Sequence, residues 1–303
     1  METGAVRYSF LIPTRGRLGQ VRETLQALSA LEAPNGSFEA LVGVDGGIPE
    51  PGAWSLAESA GGMPLTLIAQ DRHGPARARN VAAARAQGEW LVFLDDDCRL
   101  SRDYLRVLER ALTSDRSLAV GGQPRTPDSA GIWTLATHIV VEAFVESQRR
   151  ACGTPGFLPS QNLVVHRTAW AQTGGFNEDF RAAAGEDREF CIRWTRGGGR
   201  LARLPELRYV HDDPLDLRDF LRKHFQYGQG AARFLHEAGQ EPLRRYRLFL
   251  RDAWRRATAS RPRWRVPALT VGLALSQLAT LAGVVFADRS HRDERKRSPA
   301  RGV

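Results

Sequence analysis

Asp95, Asp96 and Asp97 follow directly on the apolar run Trp90-Leu91-Val92-Phe93-Leu94. Such a run reads as a buried strand. Side chains alternate along an extended chain, so Asp95 and Asp97 are expected on the same side. Two carboxylates at the C-terminal edge of a strand sit where open α/β sheets bind ligands. They can hold a hard divalent cation, which in turn can hold a diphosphate. Other acid or imidazole positions also lie at expected strand ends or turns: Asp45, the pair Glu186-Asp187, and His211. In a doubly wound sheet, successive strand ends converge on one crevice.

The elements that must position these residues alternate in type. Strands are expected at Tyr8–Ile12, Phe38–Val44, Leu65–Ala69, Trp90–Leu94 and Leu118–Gly121. Helices are expected at Leu18–Leu31, Pro75–Gln87 and Arg102–Thr113, the last with Ser101 as its cap. Alternation of this kind predicts a mainly parallel sheet flanked by helices. Further on, helical patterns cover Ile132–Arg149, Arg188–Arg196 and Leu215–Leu235, with strands at Leu158–His166 and Leu207–His211. We expect a catalytic-type domain over residues 1–240 and an Arg-rich helical extension over 241–303.

That extension contains Val266–Ala287, a stretch without any charge. It is long enough to span a bilayer as a helix. Three readings stand open: an interfacial or re-entrant helix, a true span, and a soluble or dimer-forming helix. The formal net charge is +9, and lysine occurs only at Lys223 and Lys296, so arginine carries the excess. Arginines cluster at Arg244–Arg265 and Arg289–Arg301, on both flanks of the apolar stretch. That placement points to anionic lipid head groups. No nucleic-acid motif appears. Cys98, Cys152 and Cys191 have no metal-type spacing and form no disulfide framework, as in a reducing compartment. Residues Met1–Tyr8 lack a leader pattern, so the N-terminal domain is expected to be cytosolic. The oligomeric state is not readable.

Five segments in order resemble family 2 glycosyltransferases of the GT-A fold. They are Phe10-Leu11-Ile12-Pro13-Thr14; Val44-Asp45-Gly46-Gly47; Gly74-Pro75-Ala76-Arg77-Ala78-Arg79-Asn80; Phe93-Leu94-Asp95-Asp96-Asp97; and Gly174-Gly175-Phe176-Asn177-Glu178 leading to Gly185-Glu186-Asp187. The resemblance covers roughly residues 6–235. It implies that Pro13, Thr14, Arg15 and Asp45 line a nucleotide pocket, with Arg77 or Arg79 near the diphosphate. Asp95 and Asp96 would lie on the nucleotide-sugar, Asp95 facing the ribose or the metal. Asp97 would ligate Mg²⁺ or Mn²⁺, with His211 as a further metal or diphosphate contact. Asn162 would lie near donor sugar and acceptor, Asp187 would be the general base, and Glu186 would orient substrate. A helix N-terminus is expected to lower the pKa of Asp187.

The implied reaction is inverting, metal-dependent transfer of one sugar from a nucleotide-diphosphate sugar. UDP is favoured, and the acceptor is a hydroxyl of a lipid-linked or cell-envelope glycan at the cytoplasmic membrane face. Two features depart from the family pattern. Asp45 is followed by Gly46 rather than a second acid. The Gln-x-x-Arg-Trp motif of processive synthases is not met, because Phe190 stands where glutamine would precede Arg193-Trp194. A sugar-phosphate nucleotidyltransferase is the alternative enzyme, but Pro13-Thr14-Arg15-Gly16-Arg17 is a poor version of its Gly-rich loop. A non-catalytic membrane-associated binding module is the third reading. A dinucleotide oxidoreductase is unlike this chain, since no Gly-x-Gly-x-x-Gly follows the first strand.

Overall fold

The computed structural model describes residues 6–32, 37–47, 52–112, 114–180, 184–235, 242–259 and 263–297. Thr113, Arg261 and the end of the Arg289–Arg301 cluster therefore lie outside the described residues. By internal contacts the chain sorts into two units, Met1–Asp128 with Thr154–Asp213, and Ser129–Gly153 with Pro214–Val303.

The first unit is built on one eight-stranded sheet. Its strands are β1 (Val6–Thr14), β2 (Ser37–Asp45), β3 (Leu65–Gln70), β4 (Trp90–Leu94), β5 (Cys98–Leu100), β6 (Leu118–Arg125), β7 (Asn162–His166) and β8 (Arg200–His211). They lie in the order β3-β2-β1-β4-β7-β6-β8-β5. β3, β2, β1 and β4 are mutually parallel, as the alternating pattern predicts. β7 then runs antiparallel to both β4 and β6, so the whole sheet is mixed. Strand order reverses between β1 and β4, which places the ligand crevice beyond Thr14 and Leu94.

Period-two patterning sets the two faces of this sheet. Tyr8, Phe10, Ile12, Val42, Val92 and Leu94 share one core with helices α1 (Leu18–Ser29), α2 (Gly52–Ser59) and α4 (Tyr104–Ala111). Phe93 points the other way and meets Trp170 at 4.6 Å and Phe176 at 5.1 Å between ring centroids. Trp170 in α6 (Arg167–Thr173) stacks at 4.8 Å on Phe190 of α7 (Glu186–Arg196), so this aromatic cluster anchors α7 against β4. On that face α3 (Pro75–Arg85) also packs, against β1 and β2.

Several expectations need correction. β5 and α6 carry no clear sequence signal; β5 forms because Cys98–Leu100 pairs antiparallel with Tyr209–His211. The strand expected from Leu158 begins at Asn162, because Asn162 N–H donates to the Pro159 carbonyl in a turn. Ser101 does not cap α4; its hydroxyl donates to the Arg208 carbonyl at 3.4 Å, and Asp103 precedes the helix. β8 starts seven residues before the expected Leu207, at Arg200.

The second unit is helical: α5 (Ile132–Cys152), α8 (Leu217–Leu235), α9 (Pro242–Ala259) and α10 (Val266–Arg297). Contacts thus gather α5 and α8 with the helices beyond residue 240. Phe220, Phe249, Ala253, Ala257 and Leu269 form its core with the apolar face of α5. α8 and α10 touch backbone to backbone. A Cβ on Gly228 would stand 1.9 Å from the Thr280 carbonyl oxygen, and one on Gly283 would stand 2.0 Å from that of Phe225. Gly228→Ala gains about 1 kcal/mol of helix propensity but forces the helices apart, an overpacking cost of about 1–3 kcal/mol. We expect a net loss of stability, read as a lower denaturant midpoint with the slope unchanged.

Candidate active site

Three carboxylates at the end of β4 part company. The chain leaves extended conformation after Leu94, and Cys98 N–H donates back to the Asp95 carbonyl at 3.2 Å. The alternation argument for Asp95 and Asp97 therefore does not apply, and each acid meets its own partners.

Asp95 turns toward α3. Arg79, 3% exposed, donates from Nη2 to Asp95 Oδ1 at 2.6 Å and from Nη1 to Glu186 Oε1 at 2.9 Å. One buried guanidinium thus ties the end of β4 to the start of α7. Glu186 Oε2 and Arg79 Nε have no hydrogen-bond partner among the described residues. Burial and then the neighbouring Asp187 raise the pKa of Glu186, and Arg79 opposes the rise. Gly185, with φ at +100°, turns the chain sharply into α7. The first turn then presents Glu186 and Asp187, where helix N–H groups lie free. Asp187 accepts from Ser160 N–H at 3.3 Å and from Arg188 N–H at 2.7 Å. Its pKa is nevertheless raised, because burial outweighs those two bonds. The expected lowering by the helix end is thus overturned.

Asp96 is buried at 1% exposure. It accepts from the Thr14 hydroxyl at 2.6 Å and pairs with Arg17. Burial pushes its pKa up to about 6 even though Arg17 pulls the other way. Asp97 Oδ1 stands 3.2 Å from His211 Nε2, and its Oδ2 stands 3.3 Å from Arg17 Nη2. The Asp212 N–H donates to the Asp97 carbonyl at 2.9 Å, which fastens the end of β8 to this turn.

Asp97, Cys98 and His211 bring ligand atoms within 4.8 Å of one another. No other such group occurs among the described residues. Asp95 is not part of it. The carboxylate suits Mn²⁺ or Mg²⁺, and the imidazole favours Mn²⁺ of the two, since Mg²⁺ prefers oxygen ligands. Burial, then Asp97, holds the Cys98 thiol protonated and well above its ordinary pKa, so Asp97 and His211 are the ready ligands.

The other expected residues divide. Asp45 is buried, and its carboxylate accepts from His73 N–H at 2.8 Å, Gln70 Nε2 at 3.0 Å and Gly74 N–H at 3.2 Å. Burial would raise its pKa, but these bonds, with Arg15 at 3.6 Å, hold it below the usual value. Asp45 thereby fixes the loop leading into α3. Pro13, one residue before the end of β1, pairs with Gly43. Arg77 is half-buried and has no ion-pair partner among the described residues. Asn162 is turned inward: its amide donates to Tyr104 Oη at 2.8 Å and accepts from Gly122 N–H at 3.0 Å. Within the Ser160-Gln161-Asn162 turn it is Ser160 that reaches Asp187. Arg193 binds Glu189 and the Gly175 carbonyl, and Trp194 donates to the Ser117 carbonyl, so both are engaged in packing.

Sequence reasoning missed Arg17 and Thr24. The Thr24 hydroxyl donates to the Asp96 and Cys98 carbonyls at 2.9 and 3.1 Å. The available signal for Arg17 was charge. Asp95–Asp97 and Asp212-Asp213 leave an acid surplus that one nearby cation must offset, and Arg17 stands three residues after Thr14.

A doubly wound sheet with acids, an imidazole and arginines at its switch point is the ligand-binding type of open α/β fold. The first unit has the GT-A-type architecture. Residues 9–178 match the family described as glycosyl transferase family 2, and the chain belongs to that family. The pre-mycofactocin glycosyltransferase of Mycobacterium tuberculosis is 29% identical over 173 residues, which are 52% of this chain and 34% of that relative. The present chain therefore spans about a third of that relative's length. The succinoglycan biosynthesis protein ExoM of Rhizobium meliloti is 28% identical over 257 residues, 80% of this chain and 77% of that one. Among solved structures, the mannosyltransferase PcManGT from Pyrobaculum calidifontis, in complex with GDP-Man and Mn²⁺, superposes with a TM-score of 0.58 at 18% identity. That match covers 97% of this chain and 83% of the other. GalNAc-T7 with UDP, GalNAc and Mn²⁺ gives 0.55 at 14% identity over 85% of this chain and 58% of that one. At these identities the likeness is one of fold.

Proposed function

We propose that this protein is an inverting, metal-dependent glycosyltransferase that moves a single sugar from a nucleotide-diphosphate sugar, UDP-linked by preference. Its acceptor would be a hydroxyl of a lipid-linked or cell-envelope glycan at the cytoplasmic face of a membrane. The observation that carries this reading is the Asp95–Arg79–Glu186 bridge. It sets a carboxylate pair at a helix start beside the acids at the switch point, which is the juxtaposition that base-assisted displacement needs. Glycan acceptors draw support from the likeness to ExoM, and bound nucleotide-sugar with Mn²⁺ from the likeness to PcManGT.

In this reading Asp187 accepts the proton of the acceptor hydroxyl. The new bond forms between that oxygen and the anomeric carbon as the bond to the diphosphate oxygen breaks. The electron pair leaves with the nucleoside diphosphate, and direct displacement inverts the anomeric configuration. Arg79 holds Asp95 toward the ribose and Glu186 toward the substrate. Pro13, Thr14, Arg15 and Asp45 frame the base, Asp45 chiefly by fixing the loop at His73 and Gly74. Arg77, half-buried with no ion pair among the described residues, would be the cation for the diphosphate. A Mg²⁺ or Mn²⁺ held by Asp97 and His211 would supply Lewis acidity at the leaving group.

The test is thermal stabilisation by UDP, dTDP, GDP and CDP, each with Mn²⁺ and with chelator. One nucleotide should raise the melting temperature only with metal, by linkage. Asp97→Ala should erase that rise. A product that retains the donor's anomeric configuration, or no shift with any nucleotide, would overturn the proposal.

A further inference from the structure

The second unit carries an apolar surface that its own core does not use. α10 buries Leu269, Gly272, Ser276 and Gly283 on one side. On the other, Trp264 just before it is 72% exposed, and Val271, Leu278 and Val285 follow at intervals of seven with exposures of 55%, 64% and 42%. A seven-residue interval keeps side chains on one stripe of a helix. Contiguous exposed apolar surface of this kind marks an interaction site.

α9 adds a second stripe and the charge. Tyr246, Leu250 and Trp254 recur every fourth residue and are all exposed. One position further round, Arg247, Arg251 and Arg255 form a parallel row, also exposed. Arg255 pairs with Asp252 at 2.7 Å, whereas Arg247 and Arg251 have no ion-pair partner among the described residues. α9 as a whole has six arginines and one aspartate, hence a formal charge of +5. An apolar groove of about 270 Å³ runs between α9 and α10, lined by Leu250, Trp254, Leu273 and Ala274 among others.

We propose that α9 and α10 together dock on an anionic lipid surface, with α10 lying along the membrane rather than across it. This deepens the membrane placement in the preceding reading and rests on that placement, not on the transfer chemistry. The Arg247–Arg251–Arg255 row meets head-group phosphates. Tyr246 and Trp254 sit at the level where amphipathic rings are favoured, and the outer stripe of α10 enters the acyl layer. The groove between the helices takes part of one hydrocarbon chain.

Packing decides between lying and spanning. α10 is locked to α8 by the Gly228–Thr280 and Gly283–Phe225 approaches. α8 carries Arg218, Asp219, Arg222 and Lys223, and α9 packs on α10 as well. A spanning α10 would draw those charges into hydrocarbon, where each is strongly disfavoured. A surface-lying α10 keeps them in water and still covers its apolar stripe. Charge also argues against a second copy as occupant, since two +5 helices would face one another.

The full-length protein is mixed with phosphatidylcholine vesicles, with or without 30% phosphatidylglycerol as the probe, and sedimented. Binding is expected only to the anionic vesicles and should weaken with salt. Arg247→Gln with Arg251→Gln should weaken it roughly thirtyfold, at about 1 kcal/mol per arginine. Leu278→Asp should weaken it too while the circular dichroism spectrum stays unchanged. Equal binding to both vesicle types overturns the proposal. So does resistance of bound protein to alkaline carbonate, which would mark a span, or concentration-dependent dimers with no vesicle binding. Nucleotide-induced thermal shifts are read on the same samples. A protein that binds nucleotide but no vesicle sinks the lipid surface and leaves the transferase reading intact.

Discussion

Asp187→Asn is expected to lower kcat by about a thousandfold, the middle of the range for a positioned general base. The amide keeps the shape, and its one oxygen can accept from either Ser160 N–H or Arg188 N–H, so one bond is lost at about 1 kcal/mol while the fold and the nucleotide-induced thermal shift should be retained. The loss should therefore fall on kcat and leave donor binding almost unchanged. Burial raises the Asp187 pKa, and the adjoining Glu186 is raised as well. A base must be ionised to work. The wild-type rate should rise with pH through a midpoint above the ordinary carboxylate range, and that midpoint belongs to the pair. A midpoint near the ordinary aspartate value, or a variant within tenfold of wild type, would remove Asp187 from the role of base.

Arg79→Met should be strongly destabilising. Its guanidinium is buried between Asp95 and Glu186, and methionine fills similar space without the charge. Breaking a buried pair by deleting one partner leaves an uncompensated charge, worth about 3–5 kcal/mol. For a chain of this size that is a fall of roughly 10 °C in melting temperature. The sign of the pH dependence follows from Glu186. Its folded-state pKa lies above its unfolded value, so the folded state binds the proton more readily. Stability from this group is greatest at pH below the unfolded value of 4.5 and declines as pH rises through the raised folded value. Without Arg79 the decline should steepen, and Arg79→Met with Glu186→Gln should recover part of the loss. Melting curves from pH 5 to pH 8 read both effects. Equal melting temperatures for variant and wild type across that range would show the bridge to be dispensable.

The parts of the site set by chain order were readable in advance; the parts set by local turns were not. Strand ends carrying Asp45, Asp95 and His211 follow from period-two patterning and parallel topology, which place them at one edge. Hydrogen bonding then decides where each carboxylate goes. Asp95 and Asp97 diverge because the chain leaves extended conformation after Leu94, before alternation could carry through to Asp97. Asn162 faces Tyr104 and Gly122 rather than the crevice because its strand starts after a turn at Pro159. Arg77 or Arg79 is expected near the diphosphate, and Arg79 is committed to two acids, Glu186, which is buried, and Asp95, which is half-buried. The three residues of β5 are too few for any pattern, and their pairing with β8 joins positions more than a hundred residues apart. Helix α5 reads as an ordinary helix; only tertiary contact assigns it to the same unit as α8, α9 and α10.

Arg17 has a consequence for how the protein is made. Its guanidinium lies against Asp96 and Asp97 and within 3.9 Å of Asp213. The chain thus carries an internal counterion for its most acidic turn, so the repulsion among these carboxylates is offset during synthesis without a divalent ion. The acids of this turn thus have a cation beside them that belongs to the chain itself. On the proposed metal-dependent reading, protein made without manganese or magnesium would be folded and idle, and added ion would restore its activity.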